Sequence, residues 1–497
     1  MGGSRSIKTW GTWALASATA GFALLVAGCA SKPPPTHEET VKQALPETNI
    51  PQVWGTAAEA GKVPEGWLTS FDDDRMEAIV GEAMKNNLGL SVAGARMDAA
   101  AGAARVAGAS LKPVVGASGL ASNSFEDRGA ALSMSWELDV WGRLRAIAAA
   151  GQAAYGGAQL DYEFARQSLA AQVCKSYYLA AEAQQQLRLA EENVMLYKQL
   201  LGAVQQIGKV GAQDVSLAKA DLALAQERLS SAKAAQVESV RSVEVLLGRY
   251  PSAELKASEQ FPAVPPPPPA GAPAALLERR PDVAAAQRRC LLAFQNLQIS
   301  KLARLPQIAL TGTAGGASGD LEDILGLGDG FFSAGANFVA PIYTGGALEA
   351  EVEIATAEQK GALALYGQTA LKAFKEVEDS LSNETFLKDR ETSLMDVIRE
   401  TEEALRVRKL QYDAGKADLL DVLILQGKVN QARSSQIFIH NARLAERIDL
   451  HLALGGDFEA SPTTVPSTAP VAAKALNEQL LQTHESAETS DSGRPAD

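Results

Sequence analysis

Three cysteines and four histidines are the side chains of this 497-residue chain best suited to covalent or metal chemistry. Cys29 directly follows Leu25-Val26-Ala27-Gly28. Small residues before a thiol, at the end of a short apolar run, mark a processing point where the chemistry on offer is acylation of the sulfur. Cys174 and Cys290 fall inside helical patterns. An oxidising compartment permits a disulfide between them, but two small buried thiols are the simpler reading. His37, His440, His451 and His484 show no metal-ligand spacing. Gly-x-Ser-x-Gly, His-Glu-x-x-His and a phosphate-binding glycine loop are absent from the sequence, so neither an enzyme nor a cofactor site is expected. The net charge of −13 argues against a nucleic-acid-binding face.

The segment before Cys29 has a positive start, Arg5 and Lys8, and an apolar stretch over 13–26. It is a secretory signal, and its cysteine makes it resemble a bacterial lipoprotein signal in which Cys29 becomes the lipidated first residue. Ala30 stands where Asp would signal inner-membrane retention in lipoproteins, which favours the outer membrane. No other apolar run is long enough for a spanning helix, so a membrane crossing by the mature chain requires a closed barrel.

The elements follow from two periodicities. Leu132, Met134, Trp136, Leu138 and Val140 alternate with Ser133, Ser135, Glu137 and Asp139, a period of two that predicts a strand with one apolar face over 131–140. After Trp141 and Gly142 the chain reads as helix from 144 to about 210 without a proline, which would span ~100 Å. Leu187, Ala190, Val194, Tyr197, Leu201 and Val204 form a coiled-coil seam there. Beyond Gly211 the seam returns as Val215, Ala218, Leu222, Ala225, Leu229 and Ala232, a helical hairpin with its tip at 209–212. Upstream, 36–66 reads as irregular, 73–110 as one helix and 114–121 as a first strand. The proline run 265–269 cannot be helix and reads as a connection.

After it the pattern recurs. Arg280-Pro281-Asp282-Val283 takes the place of Asn87-Leu88-Gly89-Leu90, and Arg289 that of Arg96. Strands are predicted over 307–314 and 331–341, then a helix over 347–412, a turn at Gly415 and a return to Gly456. Gly415 aligns with Gly211, and Asp418 with Asp214. This internal duplication divides the chain into a signal (1–28), a lipid-anchored extended segment (29–70), a first repeat (71–250), a proline-rich linker (251–273), a second repeat (274–456) and a disordered tail (457–497). The fold class is mainly α with a membrane β-barrel portion, built from a duplicated strand pair plus long coiled-coil helical hairpin. Four strands cannot close a barrel, and an open sheet edge is not tolerated in lipid, so several copies must pool their strands.

These stretches together resemble the TolC/OprM-type outer-membrane efflux protein family, in its NodT-like lipoprotein branch. The matching runs are the Cys29 lipobox, residues 136–145, Arg279-Arg280-Pro281-Asp282, residues 341–346, Tyr412-Asp413-Ala414-Gly415 and residues 452–456. The resemblance implies a homotrimer with a twelve-stranded β-barrel and an α-helical tunnel, docked to a periplasmic adaptor protein and an inner-membrane pump. It would be a passive exit duct for small molecules such as drugs, lipid-anchored in the outer membrane and extending into the periplasm. The family narrows the periplasmic end on the helix after the second tip, here 418–427. Ile424 replaces the aperture carboxylate and Gly427 an arginine. Leu420 and Ile424, one turn apart, would form an apolar gate, with Asp421 the nearest acid or else a solvated charge. Gly211, Asp214, Gly415 and Asp418 mark the adaptor-contacting tips, although helix capping is the better reading of the two aspartates. Trp136, Trp141, Gly142, Tyr343 and Gly345 mark the barrel–tunnel junction, the tryptophans as membrane-belt residues or as core or inter-subunit packing. A periplasmic adaptor lipoprotein with a single hairpin, and a duct for metal or polypeptide export, are the alternatives.

Overall fold

The computed structural model describes residues 33–56, 58–59, 61–120, 129–206, 212–317 and 330–459. Expectations for the signal and Cys29, for Gly211 and its tip, and for residues from 460 onward lie outside them.

The two longest helices, α4 (Arg143–Gln206) and α8 (Ala347–Asp413), have 64 and 67 residues, or about 100 Å each. Each is followed by a 35-residue return helix, α5 (Ala212–Leu246) and α9 (Leu419–Ala453). The sequence seam packs as expected: Val194, Tyr197 and Val204 lie buried with Ala218 and Ala225, and Leu201, Val215, Leu222 and Leu229 pack against them. Leu419 and Leu423 of α9 complete that cluster, tying the second hairpin to the first.

The helix expected over 73–110 is broken in two, α2 (Asp74–Asn86) and α3 (Leu88–Ala109). Asn87 makes the break. Its side-chain oxygen accepts the Leu90 N–H at 2.9 Å and its amide donates to the Leu246 carbonyl at 2.9 Å. A short polar side chain that competes for backbone groups favours a cap over a helix interior. The second repeat makes the same break with Arg280 between α6 (Pro273–Arg279) and α7 (Pro281–Leu302), where Pro281 opens the helix at a position that needs no N–H. The region read as irregular over 36–66 also holds a helix, α1 (His37–Ala44), with Thr36 and Glu39 in a reciprocal capping box. That signal, Thr-x-x-Glu, was present in the sequence.

Four antiparallel strands form one sheet in the order β1 (Val114–Leu120), β2 (Gly129–Leu138), β3 (Gln307–Ala317), β4 (Gly330–Val339). Pairing of β2 with β3 joins the two repeats, and β1 and β4 are the edges. The register sorts the side chains by face. Val115, Met134, Gly312 and Ala334 form one row, and Ala117, Leu132, Ala314 and Phe332 the next; Leu138, Ile308 and Phe338 continue that apolar face. The opposite face carries Gly116, Ser133, Thr313 and Ser333, then Val114, Ser135, Thr311 and Gly335, then Glu137, Ala309 and Asn337, with Phe331 and Val339 toward the ends of the last strand. An apolar face opposed to a hydroxyl- and glycine-rich one is the pattern of a membrane barrel wall.

Two cores flank the helices. One gathers Trp67, Phe71, Met76, Tyr177, Tyr178, Leu444 and Ile448, the other Trp54, Leu276, Cys290, Tyr366, Val377 and Leu454. Cys174 belongs to the first, so the two cysteines occupy separate cores, and both are free. Burial pushes the Cys290 thiol up to about 11. The region read as tail begins late: Phe458 is buried in the first core and Glu459 pairs with Arg166 at 2.9 Å.

The linker does more than connect. Phe261 stacks on His440 at 5.1 Å, the Pro262 carbonyl lies 3.1 Å from His440 Nε2, and Arg447 donates to the Pro265 carbonyl. At its far end Trp54 Nε1 donates to the Gly271 carbonyl at 3.1 Å. Proline carbonyls, unpaired in an extended strap, are the acceptors these buried side chains need.

Candidate functional site

At the tip of the second hairpin, α8 ends in a left-handed glycine, Gly415, at φ 71°. Gly415 N–H bonds Tyr412 O at 2.9 Å and Lys416 N–H bonds Gln411 O at 2.8 Å, the paired closure that satisfies the last carbonyls of a helix. Asp418 sits at the N-cap of α9 with an extended backbone, but its side chain makes no capping bond, which corrects the capping expectation for it. Asp214 lies in the first turn of α5, where the helix dipole favours an anion. Its charge is felt at Tyr412: burial, then the charges of Asp214 and Asp413, push that phenol up. Tyr412 packs against buried residues of both coiled-coil clusters, so it is where the two hairpins meet near their tips. In sequence Tyr412 stands only as part of the 412–415 run and carries no signal of that role.

On α9, Leu419, Val422, Leu423 and Gln426 are buried, while Leu420 and Ile424 remain 47% and 49% exposed on the other side. The two apolar side chains thus form a short stripe facing away from the packed seam, one turn apart. Asp421 is not a free acid: its carboxylate pairs with Arg408 of α8 at 3.3 Å. Behind the stripe, Gln426 donates to Asn430 at 3.0 Å within the hairpin. A side chain at Gly427 would meet nothing within 4 Å, so packing does not require glycine there.

At the other end of α4 the chain turns from strand to helix in four residues. Gly142, at φ 87°, supplies the bend, and Asp139 caps the helix by accepting the N–H groups of Leu144 and Arg145 at 2.8 and 3.0 Å. That capping duty ends β2 at Leu138, before Val140. Trp136 donates to the Leu111 carbonyl at 3.1 Å and Trp141 to the Pro306 carbonyl at 2.6 Å. Trp141 therefore ties the first junction to the entry of β3 in the second repeat. In that repeat Gly346 takes the place of Gly142, with the same φ of 87° as N-cap of α8, and Gly345 precedes it at φ 65°. Tyr343 is 89% exposed and makes no corresponding anchor. Glu137 and Arg143, given no role by the sequence patterns, form an ion pair at this junction in which Arg143 Nη2 donates to both carboxylate oxygens at 2.7 Å.

No helix among the described residues is long and apolar enough to cross a membrane. An adaptor lipoprotein would carry one hairpin, whereas this chain carries two joined through a common sheet.

Comparison with known proteins agrees. The cation efflux system protein CusC of Escherichia coli is 26% identical over 416 residues, 79% of this chain and 88% of that protein. The pyoverdine export outer membrane protein OpmQ of Pseudomonas putida is 28% identical over 442 residues, 82% of this chain and 92% of that one. The crystal structure of the Campylobacter jejuni CmeC outer membrane channel superposes with a TM-score of 0.77 at 22% identity, covering 87% of this chain and 97% of that one, a likeness of fold. The model of the family described as outer membrane efflux protein matches residues 79–249 and 272–456, one span for each repeat. The chain belongs to the outer membrane efflux protein family, and it is an outer-membrane efflux channel and not an enzyme.

Proposed function

We propose that three copies of this chain close their sheets into a twelve-stranded barrel above a tunnel of α4, α5, α8 and α9, forming the exit duct of a pump that spans both membranes. The four-stranded sheet with one lipid-type face and two unpaired edges carries this reading, because a sheet edge has no partner in lipid unless a neighbouring strand supplies it. Cys29 anchors the duct to the outer membrane, an acyl chain that adds to the barrel's own insertion. The tips around Asp214, Gly415 and Asp418 meet a periplasmic adaptor, which couples the duct to an inner-membrane pump. Energy comes from the pump; the duct opens and closes.

Leu420 and Ile424 form the closing ring at the periplasmic end, and with Asp421 paired to Arg408 that ring is apolar. A hydrophobic constriction gates by excluding water. An apolar ring suits small organic cargo of the kind drugs represent, over bare metal ions; CusC and OpmQ are named for cation and pyoverdine export respectively. Dye accumulation in cells lacking the gene tests the reading. Retention should rise, return to normal with the restored gene, and stay normal with the restored gene carrying Asp421→Asn. Restoring Leu420→Ala with Ile424→Ala should instead make the cells leaky to a hydrophilic antibiotic. Unchanged dye retention in the deletion would move the cargo to metal ions or polypeptide.

A further inference from the structure

Glu137 is the sole ionisable side chain among the described residues of the four strands. The register puts it on the face shared by Ser133, Ser135, Thr311 and Asn337, opposite the face of Met134, Leu132 and Phe332. If the apolar face meets lipid, Glu137 points into the lumen, one residue from the inner end of β2. On the lumen side of a membrane strand a charge tunes selectivity rather than insertion.

Arg143 is that residue's partner, held by both carboxylate oxygens, with the two side chains only 20% and 28% exposed. Arg143 is also the first residue of α4, where the positive end of the helix dipole disfavours a cation. The helix therefore gains nothing from an arginine there, and the guanidinium Nη2, seated between the two carboxylate oxygens of Glu137, makes a charge-assisted pair instead. Arg145, two residues on, has its own acid in Asp139 at 2.9 Å, so the two pairs do not compete.

We propose that Glu137 and Arg143 form a self-neutralised ring at the inner mouth of the barrel that sets the charge selectivity of the duct. This rests on the trimeric-barrel reading above. Three copies place three fixed ion pairs around the lumen, where the rest of that face offers hydroxyls, glycines, amides and a few apolar side chains such as Val114 and Phe331, and no other charge among the described strand residues. The throat then presents no net field, and neutral and zwitterionic organic molecules pass it without a charge penalty. Loss of the arginine would expose a ring of three carboxylates in a low-dielectric wall, which concentrates cations.

The test is the reversal potential of the purified trimer in a planar bilayer under a KCl gradient. All variants carry Leu420→Ala and Ile424→Ala, so that the proposed gate does not limit current. Arg143→Gln should raise the potassium-to-chloride permeability ratio severalfold, Glu137→Gln should lower it, and the double variant should return to the parent value. Should Arg143→Gln fail to assemble, Glu137→Gln reads the same pair with the opposite sign and leaves the capping Asp139 in place. Conducting trimers with an unchanged ratio in the single variants would overturn the assignment. A parent protein that forms no trimer, or a trimer that carries no current, would overturn the barrel reading itself.

Discussion

At the scale of single residues, His451 is a buried titratable group without a polar partner among the described residues. It is 2% exposed and stacked on Trp67 at 5.5 Å with the rings 14° apart. Burial, then the charge of Arg447, pulls its pKa from 6.5 down to about 3. A base held neutral in the fold binds its proton more readily when unfolded. Stability is therefore full above pH 6.5 and lost as the pH falls from there toward 3, at up to about 1.4 kcal/mol per pH unit. His451→Phe keeps the ring stack and removes both unpaired nitrogens. Melting curves recorded from pH 7.5 to 4 should show the variant losing less in acid than the parent, with equal or higher stability at neutral pH. Parallel curves would show that His451 is not the acid-sensitive group. The carboxylate of Glu391, held low by His440 and Arg443 against the effect of burial, contributes an acid slope of the same sign in both proteins.

At the scale of elements, the proline strap and α9 depend on one another. Arg447 is 1% exposed and bonds Glu384 of α8 at 2.6 Å as well as the Pro265 carbonyl. Arg443 binds Glu391 beside it, and His440 reaches Glu391 at 2.8 Å from its other ring nitrogen. Removing Arg447 leaves the largely buried Glu384 with only Arg443, at 3.7 Å, so the cost stays below the about 3–5 kcal/mol of a fully unpaired buried charge. Arg447→Met should accordingly lower the melting temperature and open the strap to limited proteolysis around 259–268 before the helices unfold. Melting and cleavage like those of the parent would mean that the strap is held by Phe261 and Trp54 alone. The residue signals here are weak in sequence: five consecutive prolines announce an extended segment, but its carbonyls find their donors 178 and 182 positions away.

At the scale of the whole molecule, the two faces of the sheet make opposite predictions for neighbouring residues. Met134 stands in the apolar row with Val115, Gly312 and Ala334, and Ser133 in the polar row with Gly116, Thr313 and Ser333. An arginine on the lipid face near mid-bilayer costs about 2–4 kcal/mol, whereas the lumen side is hydrated. Met134→Arg should reduce the amount of assembled, heat-modifiable trimer in the outer membrane, while Ser133→Arg should assemble and alter conductance. The reverse order would place the hydroxyl face against lipid.

What the sequence determined by itself is whatever repeats over a few residues. Alternation of Leu132 to Val140, the three-and-four spacing of the seams, the breaks at Gly142 and Gly415 and the duplication are written in neighbours along the chain. The strands and long helices consequently end within a few residues of where those patterns end. Two short-range signals were legible and passed over, the Thr36–Glu39 capping box and the Asn87 cap that splits the first helix. The tertiary structure decided everything that depends on partners far apart in sequence or on which side of an element meets a neighbour. It paired Asp421 with Arg408, packed Tyr412 between the two coiled-coil clusters, docked the strap on His440 and Arg447, and separated Cys174 from Cys290. A carboxylate on a helix looks the same in sequence whether it is solvated, capping or paired; only the packing of one helix against its neighbour selects among them, because charge pairing depends on distance in space and not along the chain.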